Sequence, residues 1–450
     1  MTDFAALRTA VSGPVLTPSD EGFAAETTGF NLAFPHTPEV VVGVSSVDDA
    51  VAAVAFAAAH RMPVRTLATG HGSHVLVTDG MLVTTSRLDE LSIDSATGVA
   101  TIGAGVRWGA VVAAAAELGL APVTGSSTNV GVVGYLLGGG LGPLARSHGF
   151  SSDWLRGATV VLASGEVVHA SATEHPDLFW ALRGGKGGFG LVTSVELQLA
   201  PVPSLYAGAL VFAEEHIETV LRGWLDWTRS APDDVTTSMA VVHFPPFEQV
   251  PEVFRGKTLA MLRFALPGSA TEGESLVAPL RALAPVMMDG VAPLPLAQVA
   301  TIHNDPSDPS PGWSRGALLS DVDDEFASAV LAVSGAGTRG PVMVTEVRHI
   351  GAATRHDVPE GSAVGGRASS YTLSLVGVPD PALFAEALPA ATDALLASLA
   401  PWLSPETNIN FSGYPDPADY RRSWSAETFA RLAAVRASVD PEGVFAYGLH

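Results

Sequence analysis

Between Gly125 and Gly142 the chain places seven glycines in 18 residues, at Gly125, Gly131, Gly134, Gly138, Gly139, Gly140 and Gly142. Glycine carries the largest backbone entropy cost and offers no side chain to pack, so this density suits neither a helix interior nor a strand. It suits main chain that turns sharply and lets a ligand approach its N–H groups. Two shorter stretches repeat the feature, Thr69-Gly70-His71-Gly72 and 184–190. Three of them in one region point to a large phosphate-bearing cofactor lying across loops. Tight turns alone are the plainer alternative.

Composition removes several other classes. With 24 basic and 46 acidic residues the net charge is −22, which argues against nucleic acid or an anionic membrane as partner. Only Lys186 and Lys257 are lysines. The chain has no cysteine, which excludes disulfides, thiolate metal sites, cysteine nucleophiles and cysteinyl cofactor links. The start, MTDFAALRTAVSGP, has neither a basic nor a long apolar region, and no stretch reads as a membrane span. A cytoplasmic protein is expected.

Residues 39–200 alternate strands, turns and helices. Val40–Val44 reads as a strand, and Ser46, with Asp49 three residues on, as the N-cap of a helix over Val47–His60. Further strands are expected at Pro63–Ala68, Met81–Thr85, Ala158–Ala163 and Leu191–Leu199, and a helix at Arg107–Leu118. After Pro201-Val202-Pro203 the texture changes to longer strands, including Ser238–Phe244, Thr258–Ala265, Val342–Ile350 and Ser370–Val378. These suggest an α+β domain with an antiparallel sheet. His303–Arg315 reads as a lid or a surface loop, Thr407–Phe411 as an extended segment, and Ala426–Ser438 as a helix.

Several familiar sites fail on inspection. Gly103-Ala104-Gly105-Val106-Arg107-Trp108-Gly109 is one residue too long for a dinucleotide fingerprint. Lys186 is followed by Gly187, not Ser or Thr, so 184–190 is not a P-loop. His71 and His74 lack further ligands at metal spacing except Asp79, so no metal is expected. No Gly-x-Ser-x-Gly elbow is present.

The pieces in order are Ala68-Thr69-Gly70-His71-Gly72, the run Val130–Gly142, the run His175–Gly185, Phe189-Gly190-Leu191-Val192-Thr193 and Asp440-Pro441-Glu442-Gly443-Val444-Phe445. Together they resemble the FAD-linked oxidases of the vanillyl-alcohol oxidase superfamily, in the berberine-bridge-enzyme-like and 6-hydroxynicotine-oxidase-like branch, over nearly the whole chain. The resemblance implies an α+β fold with a two-part FAD-binding domain, made of residues 1–200 and a C-terminal return at 406–450, around an inserted antiparallel-sheet substrate domain at 201–405. It also implies that the loop holding Thr69, Gly70, Gly72, Ser73 and His74 wraps the pyrophosphate. The stretch with Gly125, Ser126, Ser127, Asn129, Val130, Gly131, Gly134, Tyr135, Gly139, Gly140 and Gly142 would run past the flavin and diphosphate. Gly190 and Val192 would approach the adenine. His71 matches a histidine that in the family often bonds covalently to the flavin 8α-methyl. Two departures stand out: Leu67 replaces a frequent arginine, and Ser127 stands where doubly linked relatives carry cysteine. Val130, next to Gly131, is smaller than the leucine associated with poor oxygen reactivity.

The activity so implied is two-electron oxidation of an alcohol or amine carbon in a small-molecule substrate, formally hydride transfer to flavin N5. Dioxygen would reoxidise the flavin and release hydrogen peroxide. A dehydrogenase with another acceptor and a non-catalytic flavin-binding protein are the alternatives. A monomer or homodimer is expected. Candidate proton acceptors are Tyr371, if strands 342–350 and 370–378 pair and bring Arg348 and His349 beside it, and Glu346, Asn410 and Tyr414. Glu346 equally suits a structural partnership with Arg348, which alternation puts on its face.

Overall fold

Near the N-terminus four strands form a small sheet in the order Val15–Leu16, Val40–Gly43, Met81–Thr84, Val64–Leu67, the last three parallel. The computed structural model describes residues 2–248, 250–413 and 420–446. The crossover between Val40–Gly43 and Val64–Leu67 is the helix Val47–His60. The Ser46 side chain accepts from the Asp49 N–H at 3.0 Å, as the sequence suggests. Asp49 in turn accepts from the N–H groups of Ser12, Gly13 and Ser45, tying the N-terminal segment to the helix start. The inner helix face, Ala50, Ala53, Val54 and Ala57, is fully buried. Alanine there lets the helix approach closely a second sheet, five antiparallel strands in the order Leu91–Asp94, Val99–Gly103, Leu191–Gln198, Leu155–Val161, Val167–Ser171.

One large core unites these layers with Trp424, Leu432, Val435, Val444 and Phe445 from the C-terminal region. The Asp440 carboxylate accepts from the N–H groups of Val444 and Phe445, at 2.7 and 2.8 Å, and so folds the tail back. Val64 N–H then donates to the Val444 carbonyl at 2.7 Å, and Ala446 N–H to the Val64 carbonyl at 3.0 Å. The end of the run Asp440–Phe445 thereby bridges the edge strand of the parallel sheet at Val64.

A second core belongs to an eight-stranded antiparallel sheet. Its strands lie in the order Val286–Asp289, Tyr206–Ala213, Thr258–Leu266, Thr236–His243, Val342–His349, Tyr371–Gly377, Ser314–Leu319, and Ala292–Pro293 pairs beside Tyr206–Ala213. The helices Ile217–Thr228, Asp324–Ser334 and Ala387–Ser398 cover one face. Strands Val342–His349 and Tyr371–Gly377 pair in register, Arg348 with Thr372 and His349 with Tyr371. Thr407–Phe411, expected to be extended, is instead turned. The Asn408 side chain accepts from Asn410 N–H at 3.0 Å, and its carbonyl accepts from Phe411 N–H at 2.9 Å. Among the described residues no helix is long and apolar enough to cross a membrane.

Candidate functional site

The loop after Val64–Leu67 leaves the C-terminal end of a parallel strand, where open α/β sheets bind ligands. Gly70 takes φ +73° and abuts Gly29, whose Cα would lie 2.6 Å from any Cβ added at Gly70. The Thr69 hydroxyl is the hinge of the site: it accepts from Gly131 N–H at 3.2 Å and lies 2.9 Å from His71 Nδ1. That joins the first glycine loop to the second. Lys186 N–H and Gly184 N–H both donate to the Leu137 carbonyl, at 2.8 and 3.1 Å, joining the second loop to the third.

Inside the second loop the glycines are dictated by close approach. A Cβ on Gly142 would sit 1.8 Å from the Thr124 carbonyl oxygen, and Cβ atoms on Gly125 and Gly140 would collide with the Tyr135 ring. Gly139, also at positive φ, packs beside Phe150. Gly72 and Gly134 differ: nothing lies within 4 Å of an added Cβ at either. They border open space where the loops converge.

His71 is stacked on Phe30, with ring centroids 3.8 Å apart. Its Nε2 is buried without a partner within the protein. Burial, and then the nearby Arg107, push its pKa down to about 4, so the imidazole is neutral at physiological pH. Thr124 Oγ1, Tyr135 Oη, Ser151 Oγ and Ser152 Oγ, all in or beside the second loop, are likewise buried and unpartnered. Orphaned polar atoms, converging backbone and open glycines are what a large polar cofactor requires.

Other candidates fall around this cradle. The Ser73 carbonyl accepts from Asn31 Nδ2 at 3.1 Å. His74 sits edge-on to Phe34, while Asp79 pairs with Arg65 at 2.7 Å. Asn129 Nδ2 donates to the Ser307 carbonyl, and the Val130 carbonyl accepts from Trp108 N–H. Ser126 and Ser127 are half-buried in the same loop. Gly190 and Val192 lie against Val160 in the five-stranded sheet. Asn410 is engaged in the cradle itself, Nδ2 donating to the Tyr135 carbonyl at 2.9 Å and Oδ1 accepting from Lys186 Nζ at 2.6 Å. Tyr414 lies outside the described residues.

The strand alternation that separates Glu346 and Arg348 from His349 has a decisive consequence. Tyr371 shares the His349 face, which packs against the helices. Its hydroxyl is 2.7 Å from Thr228 Oγ1, its ring stacks on His349 at 5.1 Å and meets Trp224 edge-on at 6.2 Å. Of the two cations expected beside it, Arg348 lies on the opposite face, and His349, held down to about 3 by burial and then by Arg146, is neutral; the charge on this side is that of Arg146, 3.0 Å from His349 Nε2. Burial raises the phenol's own pKa. Tyr371 is therefore a core residue turned away from the polar face, which corrects its expected role as base. Tyr371→Phe is expected to lose about 1 kcal/mol of stability with the Thr228 hydrogen bond and to leave flavin reduction unchanged. A fall in that rate, measured by stopped flow, would restore the phenol to the mechanism.

The opposite face carries a buried ion cluster. Glu346 Oε1 accepts from Ser238 Oγ at 2.7 Å and Arg263 Nη1 at 2.8 Å, and Oε2 accepts from Arg348 Nε at 2.8 Å. Burial would raise the Glu346 pKa, but Arg348, Arg263 and Ser238 outweigh it and leave the carboxyl well below its usual range. Glu346 is thus a fixed anion and a poor proton acceptor. His303, which sequence reasoning saw only as the first residue of a loop, stands 3.7 Å from Glu346 with both ring nitrogens buried and unpartnered. Burial and the two arginines hold it well below its ordinary pKa. A pocket links the two units, with Gly142 and Pro143 on one wall and Ser238, Arg263, His303 and Arg348 on the other. Over it the 303–313 loop is latched by Asn31, whose side chain both donates to and accepts from Gly312.

The family description "FAD binding domain" matches residues 38–171. The chain is 36% identical over 236 residues to (R)-6-hydroxynicotine oxidase of Paenarthrobacter nicotinovorans, covering 51% of this chain and 52% of that protein. It is 34% identical over 218 residues to glucooligosaccharide oxidase of Sarocladium strictum, covering 47% and 44%. The matched region thus spans about half the length of these curated relatives. Superposition extends further. The crystal structure of 6-hydroxy-D-nicotine oxidase from Arthrobacter nicotinovorans matches with a TM-score of 0.85 at 26% identity, covering 98% of both chains. The BBE-like 1 protein of Physcomitrella patens matches with 0.86 at 19% identity over 99% of this chain and 98% of that one, a likeness of fold alone.

Proposed function

We propose that this chain, with its FAD-binding-domain match over residues 38–171 and its likeness across 98% of its length to 6-hydroxy-D-nicotine oxidase, belongs with the FAD-linked oxidoreductases of the vanillyl-alcohol oxidase superfamily and is an FAD-dependent oxidase of a small alcohol or amine. The observation that carries this is the cradle of three joined glycine loops opening through Gly142 onto a buried polar sheet face. FAD held by these loops would supply the redox chemistry, a two-electron oxidation of the substrate carbon with dioxygen as final acceptor and hydrogen peroxide as its product.

The chain's own share is holding and orienting. The loops carrying Thr69–Ser73 and Gly125–Gly142 present N–H groups and hydroxyls to the diphosphate and ribityl chain, with His71 as the attachment point. Val130 leaves the side of the cradle next to Gly131 less obstructed than a leucine would. On the polar face the neutral His303 accepts a hydrogen bond from the substrate O–H or N–H, while burial, and then Arg348 and Arg263, keep that histidine unprotonated. The 303–313 loop, latched by Asn31, closes the chamber against water. His303→Gln is expected to lower kcat/KM by about tenfold, the cost of one orienting hydrogen bond, with FAD content unchanged. Unaltered kcat/KM in that variant would take His303 out of the chamber.

The purified protein should be yellow. Its photoreduced form should reoxidise rapidly in air, and oxidisable substrates from an alcohol and amine panel should yield hydrogen peroxide one for one with oxygen consumed. Failure to bind added FAD would overturn the proposal, and sluggish reoxidation would make the protein a dehydrogenase.

A further inference from the structure

The third glycine loop contains one residue that glycine would suit better. Lys186 lies in Gly184-Gly185-Lys186-Gly187-Gly188 with φ +68°, the left-handed region that side chains with a Cβ avoid. It is one of two lysines in the chain. Its side chain reaches inward across the cradle. Nζ donates to the Gly134 carbonyl at 2.9 Å and to Asn410 Oδ1 at 2.6 Å, both neutral acceptors, which leaves one of its three donors unassigned. No carboxylate among the described residues pairs with it. Gly134, which it touches, faces open space. An ammonium half-removed from water and without a counter-ion is costly unless an anion arrives. Strained backbone kept beside a ligand site suggests that the ligand exploits it.

We propose that Lys186 is the counter-charge of the cofactor cradle, holding negative charge carried by bound FAD: the diphosphate, or the anionic ring after reduction. This rests on the reading of the cradle as an FAD site and adds a charged partner to it. Burial pulls the Lys186 pKa down to about 8, so the ammonium form still prevails at neutral pH. His74, whose ring feels the Lys186 charge, adds no competing charge, since burial and Lys186 itself push it down to about 4. Asn410 acts as a positioning residue, fixing Nζ through its side-chain oxygen while its amide is anchored on the Tyr135 carbonyl.

The test compares Lys186→Met, Lys186→Arg and Lys186→Gly, all built on His71→Ala so that a covalent link cannot mask affinity. Three quantities are measured: FAD dissociation constant, midpoint potential and thermal stability. If the diphosphate is the anion held, Lys186→Met weakens FAD binding at least tenfold with the potential unchanged. If the reduced ring is held, binding persists and reduction becomes at least tenfold less favourable. Lys186→Arg should recover part of either effect. Lys186→Gly relieves the left-handed strain, so it should match or exceed the parent's stability while showing the same cofactor defect. That variant keeps the test open should Lys186→Met fail to fold. Unchanged affinity and potential in folded Lys186→Met or Lys186→Gly protein would overturn the inference. Absence of FAD binding in the wild-type protein would instead bring down the reading it rests on.

Discussion

Acid-precipitated wild-type protein is expected to keep its flavin, and His71→Ala to release all of it. The imidazole is prepared for attachment by its surroundings. Stacking on Phe30 fixes the ring plane, Thr69 fixes Nδ1, and Nε2 is left buried with nothing in the protein to bond. A pKa pushed down to about 4 keeps the ring neutral, so a nitrogen lone pair is available at neutral pH. No second link can accompany it, since the chain has no cysteine and Ser127 occupies the relevant place. His74 is the competing nucleophile three residues away, and its ring is also neutral. The two are separated by parallel variants. His74→Ala should retain flavin after denaturation, and His71→Ala should bind it only reversibly while folded. Flavin washing out of denatured wild-type protein would show that attachment does not occur.

Local chemistry was legible in the sequence wherever its partners are close along the chain. Ser46 and Asp49 announced the start of Val47–His60, and the helix begins where they place it. The glycine stretches were readable because close backbone approach, as at Gly142 and Thr124, admits no other residue. Alternation correctly put Glu346 with Arg348 and against His349. What alternation does not carry is which face meets the cofactor domain. That depends on the helix Ile217–Thr228, which covers the Tyr371 side through Trp224 and Thr228, a contact between segments more than a hundred residues apart. His303 was hidden for the same reason. Its meaning comes from Glu346, Arg348 and Arg263, brought to it by two strands of one sheet. Thr407–Phe411 was misread because the side chain of Asn408 competes with strand pairing for the backbone, a preference that apolar neighbours such as Ile409 and Phe411 obscure.

Glu346→Gln is expected to destabilise the folded protein by about 3–5 kcal/mol, the usual cost of breaking a buried ion pair from one side. Glu346 is 4% exposed and Arg263 7%, and the Arg348 side chain is only 13% exposed, so Arg263 cannot turn to bulk water when the anion is removed and Arg348 gains little from it. Glutamine preserves shape and one acceptor, but leaves two guanidinium groups facing each other across the Glu346 position. The pH dependence separates this electrostatic role from packing. The folded pKa of Glu346 lies below its unfolded value of about 4.3. Its contribution is therefore fully present above that value and is lost as pH falls below it towards the folded pKa. Between neutral pH and the unfolded pKa the gap between wild type and Glu346→Gln should stay constant, and at more acid pH it should narrow. Replacing Arg348 by Gln in the Glu346→Gln background removes one of the stranded charges and should recover part of the loss, a coupling that a double-mutant cycle reads directly. A gap that is small, or that does not close in acid, would mean that water reaches the cluster and that the polar face is wet before any substrate enters. In that case the neutrality of His303 could no longer be ascribed to a dry pair of arginines.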